Sequence, residues 1–303
     1  VSAAAAVTGA GAVAALALPP LVGFDSYLLY VAGTGLLWAT LASAWSLLAF
    51  AGQVSFGHAA FFGAGAYASA LLVQRAGWEP WGALPVAALA GAAVAVPIGL
   101  GAHRLAGGAL ALATFAYAEV CRVLALNWTG LTGGGAGLVG IPPLARGRTG
   151  HYYLALGVLV AALAVAGALR RSRTGLAWAA IREREQRARL LGLDPRPYKL
   201  LAFACSGAVT ALGGALYAHA VSFIEPDLVF GRSLSLLPLV MATFGGPLTL
   251  LGPTAGALLL YGASELILQP VLPRLHQLPY AIALVLVVLW LPGGLASLGR
   301  REA

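Results

Sequence analysis

Long apolar runs, each long enough to cross a bilayer and interrupted by short Gly, Pro or charged punctuation, follow one another along almost the whole chain. About 20 apolar residues span the hydrocarbon core as a helix, and on that measure the pattern predicts spans at 1–18, 27–50, 51–72, 84–102, 109–126, 152–169, 200–221, 234–244, 252–268 and 278–295. The first run lacks the cationic flank of a cleaved signal and ends at Pro19-Pro20, so it is expected to be a retained membrane helix. Two runs carry breaks. AGQVSFGH at 51–58 interrupts one with Gly52, Gln53, Ser55, Gly57 and His58 but no charge. Non-helical backbone at membrane depth needs protein or a watery cavity to satisfy it, which places this break inside a bundle. TFGGPLTLLGP at 243–253 is the other, a tight turn or a second broken element.

One stretch departs from the apolar pattern. RRSRTGLAWAAIREREQRARLLGLDPRPYK at 170–199 holds nine of the 18 Lys+Arg and three of the ten Asp+Glu. Thr174 is the expected N-cap, and Gly192 followed by Asp194-Pro195 the expected stop, of an amphipathic helix. Ala177, Ile181, Ala188 and Leu191 fall on its apolar stripe. Glu183 with Arg187 and Glu185 with Arg189 are i,i+4 pairs in the favourable order, each contributing about 0.2–0.5 kcal/mol.

Composition agrees with the pattern: 60% hydrophobic, 9% charged and a mean hydropathy of +0.87 lie far from soluble domains, in which about a quarter of residues are charged. The expectation is an all-α, polytopic transmembrane bundle of about ten spans (8–10), with broken or re-entrant elements, forming a single domain over 1–303. The net charge of +8 reflects orientation and not nucleic-acid binding. With 170–199 cytoplasmic, an even span count brings Arg104, Arg300 and Arg301 to the same side and makes both termini cytoplasmic. Arg146 and Arg148, in the Gly-rich loop at 127–150, then face outward against the rule. Cys121 and Cys205 lie in apolar runs and read as small hydrophobes.

The chemistry-bearing residues are few. Gln53, Ser55 and His58 either line a pathway or satisfy the backbone freed by the break. Glu119 and Arg122, one turn apart on a span, are expected to neutralise each other as a structural ion pair. Glu265 and His219 are placed near interfaces, and Gly245-Gly246-Pro247 form either a turn or exposed backbone at a pore. No P-loop, HExxH or GxSxG pattern occurs in the sequence, no metal site is predicted, and any ATP hydrolysis belongs to another chain.

Four blocks, in order, carry a family resemblance: LLAFAGQVSFGHAAFFGAGAYASALL at 47–72, ALATFAYAEVCRVLALNWTGLTGGGAGLVGIP ending at Pro142, AIREREQRARLLGLDPRPYKLLAFACSGAVTALGGALYA at 180–218, and TFGGPLTLLGPTAGALL at 243–259. They resemble branched-chain amino acid ABC transporter permeases of the LivM type. The resemblance implies a transport subunit, not an enzyme, in a bacterial cytoplasmic (inner) membrane. It implies a homologous second permease, two cytoplasmic ATPases that hold ATP and Mg, and an extracytoplasmic substrate-binding protein, with no cofactor on this chain. The segment 170–199 becomes the coupling loop, with Ala177, Ala180, Ile181, Glu183, Arg187, Ala188, Leu191 and Gly192 as the coupling residues. The pathway is expected near Gln53, Ser55, Phe56, Gly57, His58, Thr243, Gly245 and Gly246. Relatives that carry urea or short amides leave the substrate open, and an ion-coupled transporter using Glu119 is a rival reading. One departure stands out, since Gly107-Gly108-Ala109-Leu110 is small where the family often has a bulky aromatic.

Overall fold

A computed structural model describes residues 26–271 except 103 and 106, together with 278, 280–282, 285 and 293–296. The predicted span at 1–18, most of that at 278–295, and Arg300 and Arg301 lie outside the described residues. The longer helices, numbered here in chain order, are α1 (Ser26–Phe50), α2 (His58–Ala76), α3 (Pro80–Gly101), α4 (Gly107–Asn127), α5 (Gly147–Arg171), α6 (Arg173–Leu190), α7 (Pro195–Val221), α8 (Arg232–Gly245) and α9 (Gly252–Gly262).

Six helical segments among the described residues are long and apolar enough to cross a membrane: Tyr27–Phe50, Pro80–Gly101, Gly107–Asn127, Gly147–Arg171, Pro195–Val221 and Pro226–Gly245. The expected count of about ten includes elements of other kinds. The run at 51–72 is helical only from His58 onward. The run at 252–268 is the 11-residue α9 continued by a π-helical turn, Ala263–Leu268. The structure is not purely helical either. Leu138–Val139, in the Gly-rich loop, pairs antiparallel with Phe223–Ile224, so that Leu138 faces Ile224 and Val139 faces Phe223.

Helix α7 is the axis of the bundle because its small residues let neighbours approach to backbone contact. A Cβ on Gly91 of α3 would meet Ala211 Cβ at 2.3 Å and Gly207 O at 2.4 Å. On Gly65 of α2 it would meet Ala211 O, and on Gly214 of α7 it would meet Phe62 O, at comparably forbidden distances. Glycine on both sides of these crossings gives the close van der Waals packing that associates helices in lipid, where no hydrophobic effect drives them together. The largest side chains of the core, Phe61, Phe62, Phe203 and Trp178, fill the remaining space.

Helix α6 differs from its predicted form in two ways. Ser172, not Thr174, is its N-cap, with Oγ accepting from Thr174 N at 3.2 Å. Arg184 has extended backbone, φ −156° and ψ 102°, and divides the helix into two segments. The predicted stop is present: Gly192 adopts φ +83°, Leu193 N bonds Ala188 O, and Asp194 caps α7 through Arg196 N ahead of Pro195.

Candidate functional site

Two elements meet at the end of α1: the non-helical segment 51–57 and α6. Ala51, Gln53, Ser55, Gly57 and His58 are buried, while Gly52 and Val54 are exposed. The broken backbone is met almost group by group. Trp45 Nε1 donates to Ser55 O at 2.8 Å, Phe56 N donates to Thr114 Oγ1 at 2.9 Å, and Gly57 N donates to Ser55 Oγ at 3.1 Å. Ala59 N, in the first turn of α2, donates to Ser235 Oγ of α8 at 3.1 Å. Side chains of α1, α4 and α8, together with Ser55 of the break itself, therefore replace the missing helical bonds.

His58 is held in the same way. Ser206 Oγ donates to Ala44 O at 2.8 Å, which uses its single hydrogen, so His58 Nε2, 3.0 Å away, is the donor to Ser206. Gln53 turns inward, its Nε2 donating to Ala51 O at 3.2 Å. Phe56 is placed differently from these polar residues. With Val54 it lines an apolar hollow of about 600 Å³, shared with Gly107, Gly108, Leu112 and Leu236. The small Gly107-Gly108 step seen in the sequence thus forms one wall of this hollow.

Helix α6 sits directly on the break. A Cβ on Gly52, which has φ +71°, would meet Arg182 Cα at 2.9 Å, and Arg182 Nη1 reaches Phe50 O at 3.4 Å. Arg170, at the end of α5, stacks its guanidinium 5.0 Å above the Phe50 ring. Trp178, fully buried, donates Nε1 to Tyr198 O at 2.8 Å. Beyond the Arg184 break, Glu185 accepts from Lys199 Nζ at 2.7 Å and from Arg189 at 2.7 Å. Lys199 is only 2% exposed and also donates to Ala102 O at 3.0 Å, joining α6, α7 and the end of α3. Partial burial opposes ionisation of Glu185, but Lys199 and Arg189 outweigh it and hold its carboxyl below the usual carboxylate range.

The predicted coupling residues divide between two faces. Ala177, Ile181 and Ala188 are buried against the bundle, so the apolar stripe is used within this chain. Ala180, Glu183, Arg187, Leu191 and Gly192 are exposed, and Leu176, Leu190 and Leu191 are 73%, 87% and 85% exposed. The Glu185–Arg189 pair forms. Glu183 and Arg187 do not pair among the described residues, because the extended backbone at Arg184 lies between them and breaks their i,i+4 register.

The residues at 243–246 lie in a close crossing of α8 with α9. Thr243 Oγ1 bonds back to Leu239 O and Val240 O. Gly245 is pressed against Gly252 and Gly256 of α9, and Gly246, with φ +113°, packs against Gly293 and Ala296. Glu119 and Arg122 form the expected pair, with Arg122 Nε 3.0 Å from Glu119 Oε1, and Arg122 also binds Asp227 across the bundle. Glu119 is therefore already matched with a cation. His219, expected near an interface, is instead fully buried at the end of α7, where it accepts from Ser69 Oγ at 2.7 Å and donates Nδ1 to Pro142 O. Cys121 and Cys205 are free and half-buried. No group of His, Cys, Asp and Glu suited to a metal occurs among the described residues.

A bundle with six helical segments able to cross a membrane, an internal break and a charged helix seated on that break is the architecture of a polytopic helical membrane protein. The chain belongs to the family described as branched-chain amino acid transport system / permease component, whose sequence profile matches residues 27–291. It is 32% identical over 281 residues to the high-affinity branched-chain amino acid transport system permease protein LivM of Escherichia coli (strain K12), covering 83% of this chain and 65% of that relative. The LivM protein of Salmonella typhimurium (strain LT2) matches with the same identity and coverage. The chain thus spans about 65% of the length of these relatives. No solved structure matches it.

Proposed function

We propose that this chain is the membrane-spanning permease subunit of an ATP-driven importer of branched-chain amino acids in a bacterial cytoplasmic (inner) membrane. The observation that carries the reading is the seat of α6 on the break, through Gly52, Arg182 and Phe50, in a chain of this family. Such a seat gives a force applied to α6 a short path to the backbone at 51–57. The chain forms one membrane domain with 170–199 as its cytoplasmic loop and both termini on the cytoplasmic side. It works beside a homologous second permease, two ATPase subunits that hold ATP and Mg, and an extracytoplasmic binding protein. The ATPase-facing surface is the exposed side of α6, including Ala180, Glu183, Arg187, Leu191 and Gly192, with Leu176 and Leu190 beside them. Co-expression with the partner genes, copurification and uptake into proteoliposomes test this. The expected result is a complex whose leucine, isoleucine or valine uptake requires ATP. Uptake by this chain alone, driven by an ion gradient and indifferent to ATP, overturns it.

A further inference from the structure

A cavity of about 320 Å³ lies between α1, the first turns of α8 and the end of α9. Three of its lining side chains are aromatic, Trp38, Tyr261 and Tyr280, and one is a carboxylate, Glu265. No lysine, arginine or histidine lines it among the described residues. Glu265 stands in the π-helical turn that continues α9, a rare element that recurs at functional sites. Tyr27 Oη, in the first turn of α1, lies 3.0 Å from Gln269 Oε1 and 3.4 Å from Glu265 O. Glu265 is therefore level with the end of α1 remote from α6, and Trp38 is about three helical turns deeper. Under the orientation proposed above, the carboxylate is at the outward end.

The polar groups on the wall are not equivalent. The Tyr280 and Ser264 hydroxyls bond each other and the Tyr261 hydroxyl bonds Thr34, so these are met within the chain. The Glu265 carboxylate makes no ion pair among the described residues, in contrast to Glu119, matched by Arg122, and Glu185, matched by Lys199 and Arg189. It is half-buried, so it remains within reach of a ligand in the cavity. A carboxylate in an apolar membrane run calls for a cation as its partner. The walls select the kind of cation. A hard metal ion needs about six oxygen ligands, whereas aromatic rings around a carboxylate are the recognition chemistry of organic ammonium groups. The same carboxylate repels anions.

We propose that this cavity is a binding site for an organic ammonium group, paired with the Glu265 carboxylate and surrounded by the rings of Trp38, Tyr261 and Tyr280. Leu237, on the α8 wall, packs against the aliphatic part of the ligand. Two sources carry such a group to the outward end of a membrane bundle: a free amino acid, through its α-ammonium, and an ethanolamine lipid headgroup. The volume lies at the lower end of the roughly 300–1,000 Å³ typical of small-molecule sites, which suits one amino acid or one headgroup. Only the side of the membrane rests on the function proposed above; the ammonium chemistry rests on the cavity.

The test is equilibrium binding of tritiated 3-methylbutylamine, protonated at pH 7, to the purified full chain in a non-ionic detergent. Saturable binding is expected, with the neutral isostere 3-methylbutanol and the anion 4-methylpentanoate competing at least tenfold more weakly. Glu265→Gln and Tyr261→Leu should each weaken binding at least tenfold, whereas Tyr261→Phe, which keeps the ring, should retain most of it. Ser233→Lys, at an exposed position on the cavity wall, supplies the carboxylate with a cation from the chain itself. It should weaken binding at least tenfold, and it serves if a wall variant fails to fold. Displacement by L-leucine identifies the amino acid as the source, and displacement by phosphatidylethanolamine but not phosphatidylglycerol identifies the lipid. Absence of saturable binding overturns the proposal. So do 3-methylbutanol competing as well as the amine, affinity unchanged in Glu265→Gln and Tyr261→Leu, equal displacement by the two lipids, and displacement by neither leucine nor phosphatidylethanolamine. The assay needs no partner subunit, so its failure leaves ATP-driven uptake by the assembled complex standing, and a complex without such uptake leaves the site standing.

Discussion

Lys199 shows how one buried charge organises its surroundings. It is almost fully enclosed and is held by Glu185 and by the carbonyl of Ala102, so it joins the charged helix to two membrane helices. Removing one partner of a buried pair costs about 3–5 kcal/mol when the survivor is stranded. Glu185 is 28% exposed and keeps Arg189, so Lys199→Met should cost less, about 1–2 kcal/mol, read as a lower midpoint of thermal unfolding in detergent. The carboxyl of Glu185 is held below its unfolded value, so its contribution is present above about pH 4.3 and is lost as pH falls through the folded value. The wild-type midpoint should therefore drop below about pH 4, whereas Glu185→Gln should be less stable at pH 7 and flatter through the acid range. Equal slopes in the two proteins would show that Glu185 plays no such part. His219 offers a second case, because His219→Leu strands both the Ser69 hydroxyl and the Pro142 carbonyl, at about 1–3 kcal/mol for each buried group. Ser69→Ala removes one bond and should lower the midpoint less than His219→Leu does.

At the scale of elements, the crossing of α3 and α7 is set by what is missing from Gly91 and Gly207. Gly91→Ala would bring a methyl within 2.4 Å of Gly207 O, and backbone cannot yield cheaply. A loss of about 1–3 kcal/mol or more is expected from such overpacking. Gly108→Ala, with no atom within 4 Å of the new methyl, should change stability by less than about 1 kcal/mol in either direction. Matched thermal unfolding of the two variants measures the difference, and similar losses would contradict close packing at this crossing. Helix α6 is also defined by its interruption. The segment before Arg184 rests on the break through Arg182, and the segment after it is tied down through Glu185. A displacement of either segment therefore reaches a different part of the bundle.

For the whole molecule, the two faces of α6 separate folding from assembly. Glu183→Lys with Arg187→Glu changes exposed charges that make no ion pair among the described residues, so the fold should be unaffected while association with the ATPase weakens at least tenfold. Ala177→Leu should do the opposite, destabilising the chain by overpacking about its buried position. Copurification yield and unfolding midpoint, measured on both variants, test the division; a double charge reversal that leaves ATPase binding intact removes the exposed face from the coupling surface.

The apolar runs that form the six long described helices, the charged helix with its Gly192 stop, the break at 51–58 and the Glu119–Arg122 pair were legible because each depends on residues near in sequence and on the need of backbone for partners in a membrane. The apolar stripe of α6 was legible as a stripe, but not what it faces: Ala177, Ile181 and Ala188 turn toward their own bundle because Trp178, Arg182 and Lys199 find partners at Tyr198, Phe50 and Ala102. The same limit hid His219, whose partners are 150 and 77 residues away, and Asp227, which shares Arg122 with Glu119. The sequence by itself determined that this chain is a helical membrane protein with interruptions at 51–58 and 243–253 and one charged helix. Only the tertiary structure decided that the helix sits on the break, because that contact joins Gly52 to Arg182 across 130 residues whose path no local rule specifies.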